Sequence, residues 1–201
     1  MAIRHLTIGG LLLSLLFAPC AATTVEAPDV DSLLRQSDYV VRAVVKSATP
    51  EWREHAGRRY ISTRVELEIK EVIKGAPPSP LVLNLVGGRI GADELIVEGM
   101  PVFHQGDDNV LFVHGEQRRM LPLVALMHGV YPIFRDAQSG QDYVMRSNGR
   151  PLFRAEDVSL PMDRPSQARN LSPTARPLTA AAFISQLRAR TVFAPPPARE
   201  K

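Results

Sequence analysis

The chain has 201 residues, 24 Lys and Arg against 21 Asp and Glu, and a single cysteine. That length favours one domain with extensions at its ends. A net charge of +3 is too small to argue for nucleic acid as a partner, and one cysteine excludes a disulfide framework and Cys-based zinc sites.

Residues 1–22 read as a secretory signal. Arg4 supplies the positive start, Leu11 to Phe17 the apolar core, and Ala18, Cys20, Ala21 and Ala22 the small residues. The apolar run is too short to remain as a membrane-spanning helix. Cleavage is expected after Ala22. Pro19, directly before Cys20, argues against lipid attachment there. The mature chain would start at Thr23, lose its only cysteine and carry a net charge of +2, with 23 cations against 21 acids. A periplasmic or secreted location follows as an expectation, with no integral membrane segment after signal removal.

Further along, Asp29 or Asp31 can cap a short helix over residues 32–36. Tyr39 to Lys46 is β-branched and apolar at most positions, as in a strand buried on much of both faces. Glu51 to Arg59 reads as a polar hairpin loop. Ile61, Thr63, Val65, Leu67 and Ile69 then alternate with polar residues, the period of a half-buried strand. Continuing to Lys74, that strand is long enough to require coiling or a bulge. Leu81, Leu83 and Leu85 share one side of the next strand. Gly87 to Val113 holds two glycine clusters, a short apolar strand at Leu95 to Val97 and a fully apolar strand at Val110 to Val113. Met120 to His128 reads as a covering loop. Gly129 to Arg135 reads as an edge strand because of Pro132, and Asn148-Gly149 marks a hairpin between 142–146 and 151–154.

The expected class is mainly β: a small closed OB-like barrel with a short N-terminal helix and a C-terminal helix. A β-sandwich is the alternative. The domain plan is a signal peptide (1–22), a β-barrel domain (23–155), a linker rich in proline and arginine (156–178), a helix over 179–190 capped by Thr179, and a disordered tail (191–201).

The stretch Ser37-Asp38-Tyr39-Val40-Val41-Arg42-Ala43-Val44-Val45, with Val65 through the Lys74-Gly75 turn, resembles the first hairpin of netrin-like domains. Tissue inhibitors of metalloproteinases are the best-known members. The resemblance covers about forty residues and implies an OB-fold barrel with terminal helices packed on it. In the inhibitors a disulfide-held N-terminal cysteine reaches the target's zinc. This chain would offer only the free amine and carbonyl of Thr23, with nothing covalent to preorganise them. The GGRIG…VEGMPVF…VLFV pattern also resembles exported bacterial proteins, which implies export and no mechanism.

No catalytic set stands out from the residues. There is no G-x-S-x-G elbow, and Ser139 and Ser147 sit beside turn glycines. The glycines at 87, 88 and 91 lack the Lys-Ser/Thr of a phosphate loop. Glu66 and Glu68 lie among Arg64 and Lys70, so charge pairing explains them. His104 with Asp107 and Asp108, and His114 and His128, are the candidate metal ligands. Their spacing matches no ligand pair on one face, so no metal or cofactor is expected. The candidates for partner contact are Thr23, Thr24 and Val25 in the N-terminal arm and Trp52 and His55 in the first hairpin. The expected function is a non-enzymatic binding module that contacts a protein partner in the envelope or outside the cell. An inhibitor or accessory of a co-exported metalloprotease, and a hydrolase with an unrecognised site, are the alternatives.

Overall fold

A computed structural model describes residues 27–114, 121–162 and 176–193. The signal, its cleavage site and the arm residues Thr23, Thr24 and Val25 lie outside the described residues. Among the described residues are two helices, α1 (Val30–Gln36) and α2 (Ala180–Phe193), and eight strands. Six strands form one antiparallel sheet in the order β3-β2-β1-β6-β7-β8: β1 (Tyr39–His55), β2 (Arg58–Lys74), β3 (Leu81–Val86), β6 (Asp108–Val113), β7 (Val130–Arg135) and β8 (Asp142–Val144). A second, two-stranded sheet pairs β4 (Gly88–Ile90) with β5 (Asp93–Leu95).

The chain is therefore mainly β with a helix near each end, as its sequence suggests. The ladders leave β3 and β8 at the two edges, so they do not close the sheet into a barrel. Each face has its own core. Tyr39, Val41, Ala43 and Val45 gather with Val65, Leu67, Leu81, Leu83, Leu85, Leu111 and Val113 on one side. Val40, Val110, Phe112 and Tyr131 meet α1 and α2 on the other, through Leu33, Leu34, Phe183, Ile184 and Leu187. This is why Val40 and Val41, adjacent in sequence, are both fully buried. Each such side chain withdrawn from water contributes about 1.5–3 kcal/mol.

The length of β1 and β2 is accommodated by slippage. Their register shifts between Val40 and Val41, between Arg42 and Ala43, and between Val45 and Ser47. Each shift inserts one unpaired residue (Ile73, Lys70 and Lys46 respectively) and strengthens the local twist. One consequence is visible in the packing. Ile69 belongs to the first core, whereas Ile73, of the same parity, faces the helices.

The N-terminal helix is capped as expected: Asp29 Oδ1 accepts the Ser32 N–H at 2.6 Å. Its other end is held by β2. The Lys74 ammonium donates to the Leu34 and Ser37 carbonyls, each at 2.5 Å, where the helix dipole favours a cation. Gly75 follows at φ +75°, and a Cβ there would lie 2.2 Å from the Asp38 carbonyl oxygen. The Lys-Gly turn is thus tied to the start of β1 on both counts.

Several boundaries differ from the sequence reading. Glu51 to Arg59 is no loop: β1 runs to His55, β2 starts at Arg58, and only Ala56-Gly57 turns. Both turn residues have positive φ, the geometry that suits the twist of two paired strands. The short strand ends at Leu95 rather than Val97, and Ile96 is 79% exposed, because the pairing with Gly88–Ile90 stops there. Pro132 is not at an edge, since β7 lies between β6 and β8. Its carbonyl accepts from the Met145 N–H, so its donorless nitrogen also faces the end of β8, where the ladder runs out. Residues 142–144 pair mainly with β7, and the Asn148-Gly149 turn leaves only one bridge, Met145 to Pro151. The segment read as linker begins as a 3-10 turn, Ala155–Ser159, with Ala155 and Val158 buried. Residues 163–175 lie outside the described residues. Finally, α2 docks as expected and runs three residues past Arg190, with Thr179 Oγ1 accepting the Ala182 N–H at 3.2 Å.

Candidate functional site

Two surfaces carry the chemistry of the described residues. The first is a two-stranded ribbon. β1 pairs with β6 only as far as Val44, and β3 reaches only Ser62 on β2. The Ile61 carbonyl still accepts the Gly87 N–H at 2.9 Å; from Arg53 and Tyr60 to the turn, the two strands are paired only with each other. Trp52 sits opposite Ile61 and remains 41% exposed. The Arg59 guanidinium lies 4.6 Å from the centre of its ring, a contact worth about 0.5–1 kcal/mol at such a site. His55 stands opposite Arg58 at the exposed tip. Arg53 is held at the root by Glu51 Oε1 at 2.7 Å and Asn84 Oδ1 at 2.9 Å. The small β4–β5 sheet packs on the same root. A Cβ on Gly88 would clash with Thr63 Oγ1 and press on Pro50.

The second surface is an open cavity of about 930 Å³ between β6, β7 and the segment 100–107. Its polar wall is an ion-pair cluster. Arg42 on β1 donates from Nη2 to Asp108 at 2.7 Å and to Asp142 at 2.9 Å, and Arg135 also reaches Asp142 at 3.3 Å. The hydrogen bonds to Asp108 raise the pKa of Arg42; burial opposes this and Asp142 adds to it. The opposite wall is apolar, with Met100, Phe103, Met127 and Val130. Phe103 fills the mouth of the first core and is 6% exposed, while its neighbour Val102 points outward at 77%. Met127 N–H to the Gly99 carbonyl, at 3.1 Å, fastens this segment to the 3-10 turn over Leu126–Gly129.

Other sequence candidates are scattered. Asp107 accepts the His104 N–H at 2.7 Å, but Asp108 turns to Arg42 instead of joining His104. His114 lies just past β6, and His128 is buried in the 3-10 turn. No three His, Cys, Asp or Glu side chains converge among the described residues. Glu66 pairs with Arg64, and Glu68 pairs with Lys70 and Lys46. Ser147 Oγ is held against the Met127 and Val130 carbonyls at 2.5 and 2.7 Å. No helix among the described residues is long and apolar enough to cross a membrane.

Sequence reasoning missed the Arg42, Asp108 and Asp142 cluster. Its one visible signal is an arginine inside an otherwise apolar strand. The partners, 66 and 100 residues away, follow only from the ladder order. No protein-family model, curated protein or solved structure matches the chain.

Proposed function

We propose that this chain is an exported, non-enzymatic binding module that meets a protein partner in the cell envelope or outside the cell. The observation that carries this reading is Trp52. It is a large aromatic left 41% exposed at the root of the two-stranded ribbon, with a guanidinium over its ring. Trp and Arg are the side chains that most often anchor protein interfaces, and a ribbon free of neighbouring strands is sterically accessible. His55 at the tip and Arg58 and Arg59 beside it extend the contact. The β1-β2-β3 meander, with β6 and β7 returned onto β1, supports an OB-like barrel of the netrin-like kind. Closure would bring β3 towards β8, the other edge.

A photo-reactive benzoylphenylalanine in place of His55, expressed in the source cell, tests the reading. A discrete cross-linked protein from position 55, absent when the probe replaces exposed Phe134, is the expected result. No adduct at position 55, or the same adduct from both positions, contradicts it.

A further inference from the structure

The cavity beside β6 contains a buried side chain with an unmet bonding need. Asn109 is 3% exposed, and its amide nitrogen has no hydrogen-bond partner among the described residues. An amide buried without a partner is costly, and a ligand that accepts from it would recover that cost. On β6, Asn109 alternates with Asp108 and Val110 and shares the face of Leu111. It lies opposite Ala43 on one side and Pro132 on the other. That position turns it to the Phe103 side of the sheet, the face away from the Arg42–Asp108 pair, and both groups line the cavity. The terminal torsion of an asparagine is broad, so its amide can turn towards a ligand without backbone movement.

Two features describe what fits. Three of the chain's six methionines, Met100, Met127 and Met162, line this cavity. Their flexible thioethers adapt to apolar groups of differing shape. The charges are unequal as well. Arg42 and Arg135 are engaged with Asp108 and Asp142, which leaves Asp107, 40% exposed, as the excess negative charge.

We propose that this cavity binds a peptide segment in which an apolar residue adjoins a basic one. The apolar side chain packs on Met100, Phe103 and Met127. A peptide carbonyl accepts from the Asn109 amide, and the basic side chain lies over Asp107. An acidic side chain in that position would face the unneutralised Asp107 and be repelled. The site is separate from the Trp52 ribbon and stands whether or not that ribbon binds a protein.

The probe is the acetylated, amidated tripeptide leucyl-lysyl-leucine, titrated into the isotope-labelled full chain while the side-chain amide signals of Asn109 are followed by NMR. A saturable shift of those signals is expected. The same tripeptide with glutamate at its centre should bind at least about tenfold more weakly. Asp107→Asn keeps an acceptor for the His104 N–H; it should still bind, with the preference for lysine cut at least about threefold. Asn109→Leu should lose binding at an unchanged circular-dichroism spectrum. The proposal is overturned by no saturable shift up to about 5 mM, the limit of weak specific ligands. Equal affinity for the two tripeptides, or an undiminished preference in Asp107→Asn, would overturn it equally.

Discussion

Arg42 and Asp108, 66 residues apart, are joined by two guanidinium nitrogens: Nε at 3.1 Å and Nη2 at 2.7 Å from the same carboxylate oxygen. Both side chains are 23% exposed, so the pair is screened less than a surface pair and desolvated less than a core one. Arg42→Met removes the cation that Asp108 and Asp142 share, and should destabilise the chain by about 1–3 kcal/mol in urea unfolding. Arg42→Lys retains the charge without the planar fork and should lose a smaller part of that. Equal stability of all three proteins would show that the cluster holds nothing in place.

Gly75 gives a sharper test of how β2 is tied to β1. At φ +75°, with the Asp38 carbonyl oxygen 2.2 Å from an added Cβ, Gly75→Ala must both strain the backbone and displace a neighbour. A loss of at least about 1–3 kcal/mol is expected from thermal or urea unfolding. Gly57→Ala, at φ +74° but with nothing within 4 Å of the added atom, should cost less, since only the backbone term remains.

The C-terminal helix contributes to the second core through Phe183. That ring is fully buried and lies 5.5 Å from the Tyr131 ring, which in turn meets Phe112 edge-on at 5.7 Å. Phe183→Ala should cost about 3–5 kcal/mol and raise amide exchange in α2 and α1 together. A loss under about 1 kcal/mol would mean that the helix does not dock.

Trp52 is the only tryptophan, so its fluorescence reports the ribbon alone. Arg59→Ala uncovers one face of the ring. Acrylamide quenching should rise by about 1.5-fold or more, while stability changes by less than about 1 kcal/mol. Unchanged quenching would place the guanidinium elsewhere in solution.

Stability should fall in acid. Asp29, which accepts the Ser32 N–H, and Asp136, which accepts the Ser139 and Gln138 N–H groups, are both held below the usual carboxylate value of 3.8. Below that value the unfolded chain binds more protons than the folded one, so protons favour unfolding. The stabilisation is present above 3.8 and is lost as pH falls through the folded values. At the alkaline end the sign is reversed. Burial raises the phenol of Tyr131 above its ordinary 10.0, so the folded chain stays protonated while the unfolded one ionises. Urea midpoints should therefore be flat between about pH 5 and 9 and drop on both sides. A midpoint that rises below pH 4 would contradict the assigned hydrogen bonds.

Patterns that depend on neighbours in sequence were legible. The alternation from Ile61 to Leu67, the Asp29 cap, the apolar run of β6 and the stripe of Phe183, Ile184 and Leu187 each follow from a period or a cap over a few residues. Features set by ladder register were not. Whether Glu51 to Arg59 bends or pairs depends on a two-residue turn whose partner strands extend beyond their neighbours. Pro132 reads as an edge residue until β8 is seen to end beside it. The polar wall of the cavity needs β1, β6 and β8 in one order, and nothing local to Arg42 names Asp108 or Asp142.

The most direct test of the binding role compares two forms of the full chain on a solid support. Envelope extract is passed over the natural chain and over a Trp52→Ser, Arg59→Ser double variant whose unfolding midpoint matches it. The account predicts one discrete protein retained by the natural chain and lost from the variant. Equal retention by both, or none by either, would contradict it.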